Sequence, residues 1–135
     1  MLAASQATVE YLKGNEWQQS RSFSPAVVTR GGRIVWLAGQ TTLVDMNGSD
    51  VTGNFEAQAR TIFQLIARTL ERAGGTLENM VTMTVFINDP RNGDRFVEIR
   101  REFFPNENYP ASALVTVSNF ARPGCVIEIQ GIAVI

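Results

Sequence analysis

Residues 108–135 read NYPASALVTVSNFARPGCVIEIQGIAVI. Two runs in this stretch have the composition of strands. Ala111–Ser118 follows Pro110, Cys125–Ile135 is rich in Ile and Val, and Ala121-Arg122-Pro123-Gly124 between them is turn-forming. The pattern predicts an antiparallel hairpin. Side chains alternate along a strand, so Ala113, Val115 and Val117 share an apolar face while Ser112, Leu114 and Thr116 take the other. On the second strand Ile127 and Ile129 face one way, Glu128 and Gln130 the other. A regular hairpin register would set Leu114 opposite Glu128 and Ser112 opposite Gln130. Charge is depleted from strand interiors. A carboxylate between two isoleucines therefore makes Glu128 the first candidate for chemistry.

Working outward, Asp94–Phe104 reads as a helix that turns Phe96, Ile99 and Phe103 inward and stops at Pro105. Val81–Asn88 alternates as a strand, and Asp89-Pro90 breaks it. Asn54–Ala73 is the clearest helix, with Phe55, Ala59, Ile62, Phe63, Ile66, Leu70 and Ala73 on one face. Gly74-Gly75 ends it. Earlier, Ala26–Arg30 and Arg33–Ala38 (RIVWLA) read as strands joined by a Gly31-Gly32 hairpin turn. Thr8–Leu12 reads as an edge strand, with the polar run Lys13–Ser22 as a connection. These elements predict one domain over residues 1–135. Its class is α+β, with a mixed β-sheet of about six strands and two helices packed on one face. RIVWLA and VIEIQGIAVI are apolar on both faces, yet no chain remains to cover the second face. A homo-oligomer with sheets packed face to face follows.

Composition narrows the chemistry. The chain is 44% hydrophobic with a net charge of −1, and its twelve Lys and Arg form no cluster. No nucleic-acid or anionic-membrane partner is expected. No run approaches the ~18 apolar residues of a membrane span, so the expected location is cytoplasmic. The single cysteine, Cys125, excludes an intrachain disulfide and a CxxC motif. Histidine is absent. That removes Ser-His-Asp and Cys-His nucleophile systems and the usual zinc and iron ligand sets, and no cofactor or metal is expected. Asp45, Asn47, Ser49 and Glu56 imitate part of a calcium loop, but Asp50 stands where that loop requires glycine. A plain loop is expected there.

Six stretches together carry a family likeness: GGRIVWLAGQ (31–40), AQARTIFQLIARTLERAGG (57–75), VTMTVFINDP (81–90), FVEIRREFF (96–104), YPASALV (109–115) and VIEIQGIAV (126–134). In order and spacing the chain resembles the Rid (YjgF) family, whose best-known branch contains reactive intermediate deaminases. The resemblance implies a chorismate mutase-like fold. It also implies a homotrimer with small-molecule ligand clefts between subunits. Glu128 corresponds to the family's last-strand glutamate, and Gly39-Gln40 to the end of its Ser-Gly-Gln, with Ala38 in place of the serine. Phe23 replaces a tyrosine and Leu114 a cysteine. Ser112 stands where the deaminase branch has the arginine that binds the substrate carboxylate.

The implied activity is hydrolysis of a small enamine or imine to a carbonyl and ammonia, with Glu128 positioning water and shuttling a proton. Loss of the arginine predicts weak turnover of carboxylate-bearing imines such as 2-iminopropionate. Arg122, in the turn before the last strand, is the substitute clamp considered, against a solvated loop residue. Glu128 is equally readable as an ion-pair partner across an interface, and Ser112 as a small interface residue. The alternative function is a non-catalytic metabolite-binding or regulatory trimer. The acidic balance and missing histidine weigh against ribonuclease activity.

Overall fold

Strand β4 (Met80–Ile87) alternates buried with half-buried residues, and both of its edges are occupied. A computed structural model describes residues 6–135. In chain order the other elements are β1 (Thr8–Tyr11), α1 (Glu16–Ser20), β2 (Val27–Arg30), β3 (Ile34–Trp36), α2 (Phe55–Arg72), α3 (Gly93–Phe103), β5 (Ala111–Thr116) and β6 (Ile127–Val134). The six strands form a mixed sheet of four, ordered β3-β6-β4-β5, and a two-stranded sheet β1-β2. A bridge between Ser24 and Ala111 links the segment after α1 to the start of β5.

Two expected hairpins are absent. Strands β5 and β6 do not pair: β5 runs parallel to β4, β6 runs antiparallel to its other edge, and β4 lies between them. The connection, residues 117–126, is also longer than the two to five residues typical of a hairpin loop. A parallel pair needs a crossover, and α3 supplies it between β4 and β5. Likewise Gly31 and Gly32 make a tight turn at φ 71° and 78°. The strands they join belong to different sheets, β2 with β1 and β3 with β6. The polar run Lys13–Ser22 contains α1, whose start is fixed by a capping box between Asn15 and Gln18.

The helices cover one face of the four-stranded sheet. Phe55, Ala59, Ile62, Phe63, Ile66 and Leu70 of α2, with Phe96 and Ile99 of α3, bury against Met83, Val85, Ile87, Ile127, Ile129 and Ala133. Phe63 stacks on Phe103 at 4.8 Å and on Phe96 at 6.0 Å, with Phe104 edge-on at 6.1 Å. Gly131 permits a close approach of β6 to β4. A Cβ there would lie 2.6 Å from the Thr82 carbonyl oxygen, beside the bulge between Met80 and Thr82. The opposite face is uncovered. Trp36 is 74% exposed, Ile34 56% and Val115 39%.

Gln58 anchors the approach to β6. This buried α2 side chain donates from Nε2 to the carbonyls of Val51 (3.0 Å) and Gly124 (2.8 Å). Its Oε1 accepts from the Val126 N–H at 2.9 Å. Replacing it with an apolar isostere leaves the Val126 N–H without a partner, while the Val51 and Gly124 carbonyls keep the Asn54 and Gly53 N–H groups. Gln58→Leu should therefore lower stability by about 1–3 kcal/mol, read from urea unfolding midpoints. A loss under about 0.5 kcal/mol would show that the loop before β6 is held by other contacts.

Candidate functional site

The alternation of three adjacent strands sorts the candidate residues by face. Leu114, Val85 and Ile129 lie in register across β5, β4 and β6, as do Val115, Phe86 and Glu128 one step along. Val85 and Ile129 are buried under the helices, so Glu128 projects from the uncovered face. Leu114 and Ser112 belong to the helix-covered side. The hairpin register that set Leu114 opposite Glu128 and Ser112 opposite Gln130 is thus replaced by one in which β4 separates them. The cause is the interposed strand.

The first group of candidates gathers around Glu128. Beyond β3 the chain continues along β6, with the Leu37 N–H donating to the Gly131 carbonyl at 3.1 Å. Gln40 and Ile129 exchange both backbone hydrogen bonds, at 2.8 and 3.2 Å. Ala38 and Gly39 therefore bulge opposite the single residue Gln130. The bulge presses Gly39 against the carboxylate: a Cβ on Gly39 would sit 2.7 Å from Glu128 Oε2. Among the described residues no cation lies within ion-pair distance of Glu128. The Gln40 side chain donates to the Thr41 carbonyl at 2.9 Å, so its amide is held by its own loop.

The second group lies on the other side of the sheet. A cavity of about 290 Å³ is lined by Trp17, Arg21, Phe23, Val97, Arg100, Ser112 and Leu114. Phe23, Ser112 and Leu114 thus meet, although the chain brings them from a loop and a strand. Trp17 of α1 stands edge-on to Phe23 at 5.9 Å. Arg100 of α3 is 2% exposed. Its Nη1 donates to Ser112 Oγ at 2.7 Å, and its Nη2 to the Arg21 carbonyl at 2.9 Å. Nε has no acceptor. The guanidinium carbon lies 5.0 Å from the centre of the Phe96 ring. Burial, followed by the like charge of Arg21, pushes Arg100 down to about 9, which leaves it charged at neutral pH.

Arg100, Arg21 and Trp17 were not singled out by the sequence pattern, but one signal was available. Arg100 stands four residues after Phe96 and four before Phe104, within the apolar stripe of its helix. The substitute considered from sequence, Arg122, is exposed. It is Arg100 that reaches Ser112. Cys125 is buried and unpaired. In the calcium-like loop, Asp45 Oδ1 accepts the Asn47 and Ser49 N–H groups at 2.9 Å each. Glu56 pairs with Arg95 and Arg60. Those carboxylates serve the loop and the α2–α3 surface.

Comparison with known proteins accords with this architecture. The family model described as Endoribonuclease L-PSP matches residues 14–135. A RutC family protein of Pyrococcus horikoshii is 31% identical over 104 residues, covering 77% of this chain and 81% of the relative. The Rid family protein YyfB of Yersinia pestis superposes with a TM-score of 0.81 at 24% identity, over 97% of this chain and all of that one. Rv2704 of Mycobacterium tuberculosis, of the YjgF/YER057c/UK114 family, gives a TM-score of 0.66 at 26% identity, over 95% of this chain and 100% of its own. With this α+β fold and these matches, this chain belongs to the Rid (YjgF) family.

Proposed function

We propose that this protein is a hydrolytic deaminase of small enamines or imines, working as a homotrimer with its sites between subunits. The observation that carries the reading is the Glu128 carboxylate, without an ionic partner among the described residues and set against the Ala38-Gly39 bulge on a face that also exposes Trp36, Ile34 and Val115. Within one chain the sheet separates Glu128 from the cavity of Phe23, Ser112 and Leu114. A neighbouring subunit covering the open face would bury its apolar side chains.

The chemistry needs little more than a placed base. The Glu128 carboxylate accepts a proton from water as the water oxygen bonds to the C=N carbon, and the imine nitrogen takes up a proton. In the resulting carbinolamine the hydroxyl proton passes by way of Glu128 to the amino nitrogen and the C–N bond breaks as the C=O bond forms, so imine and water become carbonyl and ammonia. General acid–base assistance of this kind is worth about 10²–10⁴-fold in rate. One observation favours a second reading, a non-catalytic metabolite-binding trimer: the positions of the family's tyrosine, serine and cysteine carry Phe23, Ala38 and Leu114.

Two measurements test the proposal. Light scattering at micromolar concentration should give about 45 kDa, three times the 14.9 kDa chain. Trp36→Glu should shift the mass to monomer, and a monomeric wild type would remove the interface site. Glu128→Gln keeps the shape of the side chain but cannot accept a proton. It should retain the trimer and lose about 10²-fold or more in turnover of 2-iminopropionate generated in situ. Turnover close to wild type in a well-folded Glu128→Gln trimer would exclude this residue as the acid–base group. Destabilisation with normal activity would identify a structural carboxylate.

A further inference from the structure

We infer that a second cavity, walled by the end of β1, by α1 and by the turn after α3, binds the phosphate ester of a small polyhydroxy compound such as a sugar. Its volume is about 560 Å³, nearly twice the 290 Å³ of the cavity around Arg100, and the two share only Phe23 among their lining residues. The inference is independent of the deaminase reading, since neither Glu128 nor Ser112 lines this space.

The walls are tied to one another, so the cavity is formed before a ligand arrives. Gln19 Nε2 donates to the Gly14 carbonyl at 2.7 Å, which joins α1 to the chain leaving β1. Arg101 Nη2 donates to the Ser20 carbonyl at 3.0 Å, which joins α3 to α1. Ser24 Oγ donates to the Tyr109 carbonyl at 2.7 Å and ties in the loop before β5. In that loop Glu107 is held at φ 60°, a left-handed conformation unusual for a residue with a side chain. Its N–H donates to the Phe104 carbonyl at 3.1 Å, so the turn presenting Glu107 and Asn108 is fixed. A preformed cavity of this size loses little freedom when it is filled.

The polar groups left unsatisfied describe the ligand. Lys13 and Arg101 both line the cavity, and neither has a carboxylate within ion-pair distance among the described residues. Of the Arg101 N–H donors, only one on Nη2 is used, on the Ser20 carbonyl. Tyr109 lines the same space and is only 8% exposed, yet its hydroxyl has no partner among the described residues. A buried phenol ordinarily finds one. An ammonium, a guanidinium and a hydroxyl together match the several terminal oxygens of a phosphomonoester, and lysine and arginine are the side chains suited to it. Glu107 also lines the cavity, so the rest of the ligand must be neutral and able to donate. Hydroxyl groups meet that requirement, with Asn108 beside them as donor and acceptor. Tyr11 adds ring surface only, because its own hydroxyl donates to the Glu78 carbonyl at 3.1 Å.

The test titrates glucose 6-phosphate, glucose and inorganic phosphate calorimetrically into the 135-residue chain. The ester should bind at least about 10-fold more tightly than glucose or inorganic phosphate. Equal affinity for either fragment, or no binding of the ester at millimolar concentration, would overturn the proposal. Lys13→Met removes the charge of an exposed side chain and should weaken the ester about 10-fold, leaving glucose little changed. Tyr109→Phe deletes only the hydroxyl and should weaken the ester about 3-fold or more. Arg68→Met, at an exposed cation of α2 outside the cavity, should leave the affinity as it was. A loss there equal to that of Lys13→Met would reveal a general attraction between charges and refute the site. Wild-type affinity in a folded Lys13→Met protein would refute it as well.

Discussion

The double pairing of β4 is the constraint on which the rest of the molecule depends. A strand bonded on both edges fixes the register of two neighbours at once, and side-chain alternation then decides every face. Because Val85 points to the helices, Leu114 and Ile129 must do so too; because Phe86 points away, Val115 and Glu128 follow. A one-residue slip on the β6 edge would exchange the two sets of that strand and drive a carboxylate into the core under α2. The glycine at position 131 and the bulge between Met80 and Thr82 help to hold that register, since only a residue without a side chain admits the Thr82 carbonyl so closely.

Charges on this framework fall into two kinds. Between α2 and α3, Arg60 and Arg95 bridge Glu56, Glu98 and Glu102 in the open, and arginine hydrogen bonds hold Glu56 and Glu102 below the usual carboxylate range. Exposed pairs of this kind add little to stability because water and salt screen them. Arg100 and Glu128 are different: neither has an ionic partner among the described residues. One is sealed under the edge of the sheet by α1, α3 and β5. The other stands on an uncovered face beside a strand bulge. They are the groups with the most to gain from something outside the chain.

Much of the fold was legible from local pattern. Helix α2 announced itself through three- and four-residue apolar spacing and through Asn54, whose side chain caps the Ala57 N–H. Strand β4, helix α3 and the inward faces of both followed from the same periodicities. Short α1 was hidden because five polar-rich residues carry no periodic signal, and its evidence lay in the capping pair Asn15 and Gln18. Membership of the family was legible too, because it is carried by continuous stretches of characteristic sequence.

Sequence alone determined which of the longer segments are helix or strand, which side of each is apolar, and that histidine chemistry is excluded. Those properties are carried by neighbours within a turn or two of chain. Strand partnership was decided only in three dimensions. Strands β5 and β6 are consecutive and equally suited to a hairpin, but the alternating apolar edges of β4 compete for both, and the loop of residues 117–126 is long enough to let them separate. The meeting of Arg100 with Ser112 and Phe23 was likewise a tertiary outcome. Distance along the chain says nothing of which side chains share a cavity, and an arginine in an apolar stripe acquires its meaning only when the surrounding elements close over it.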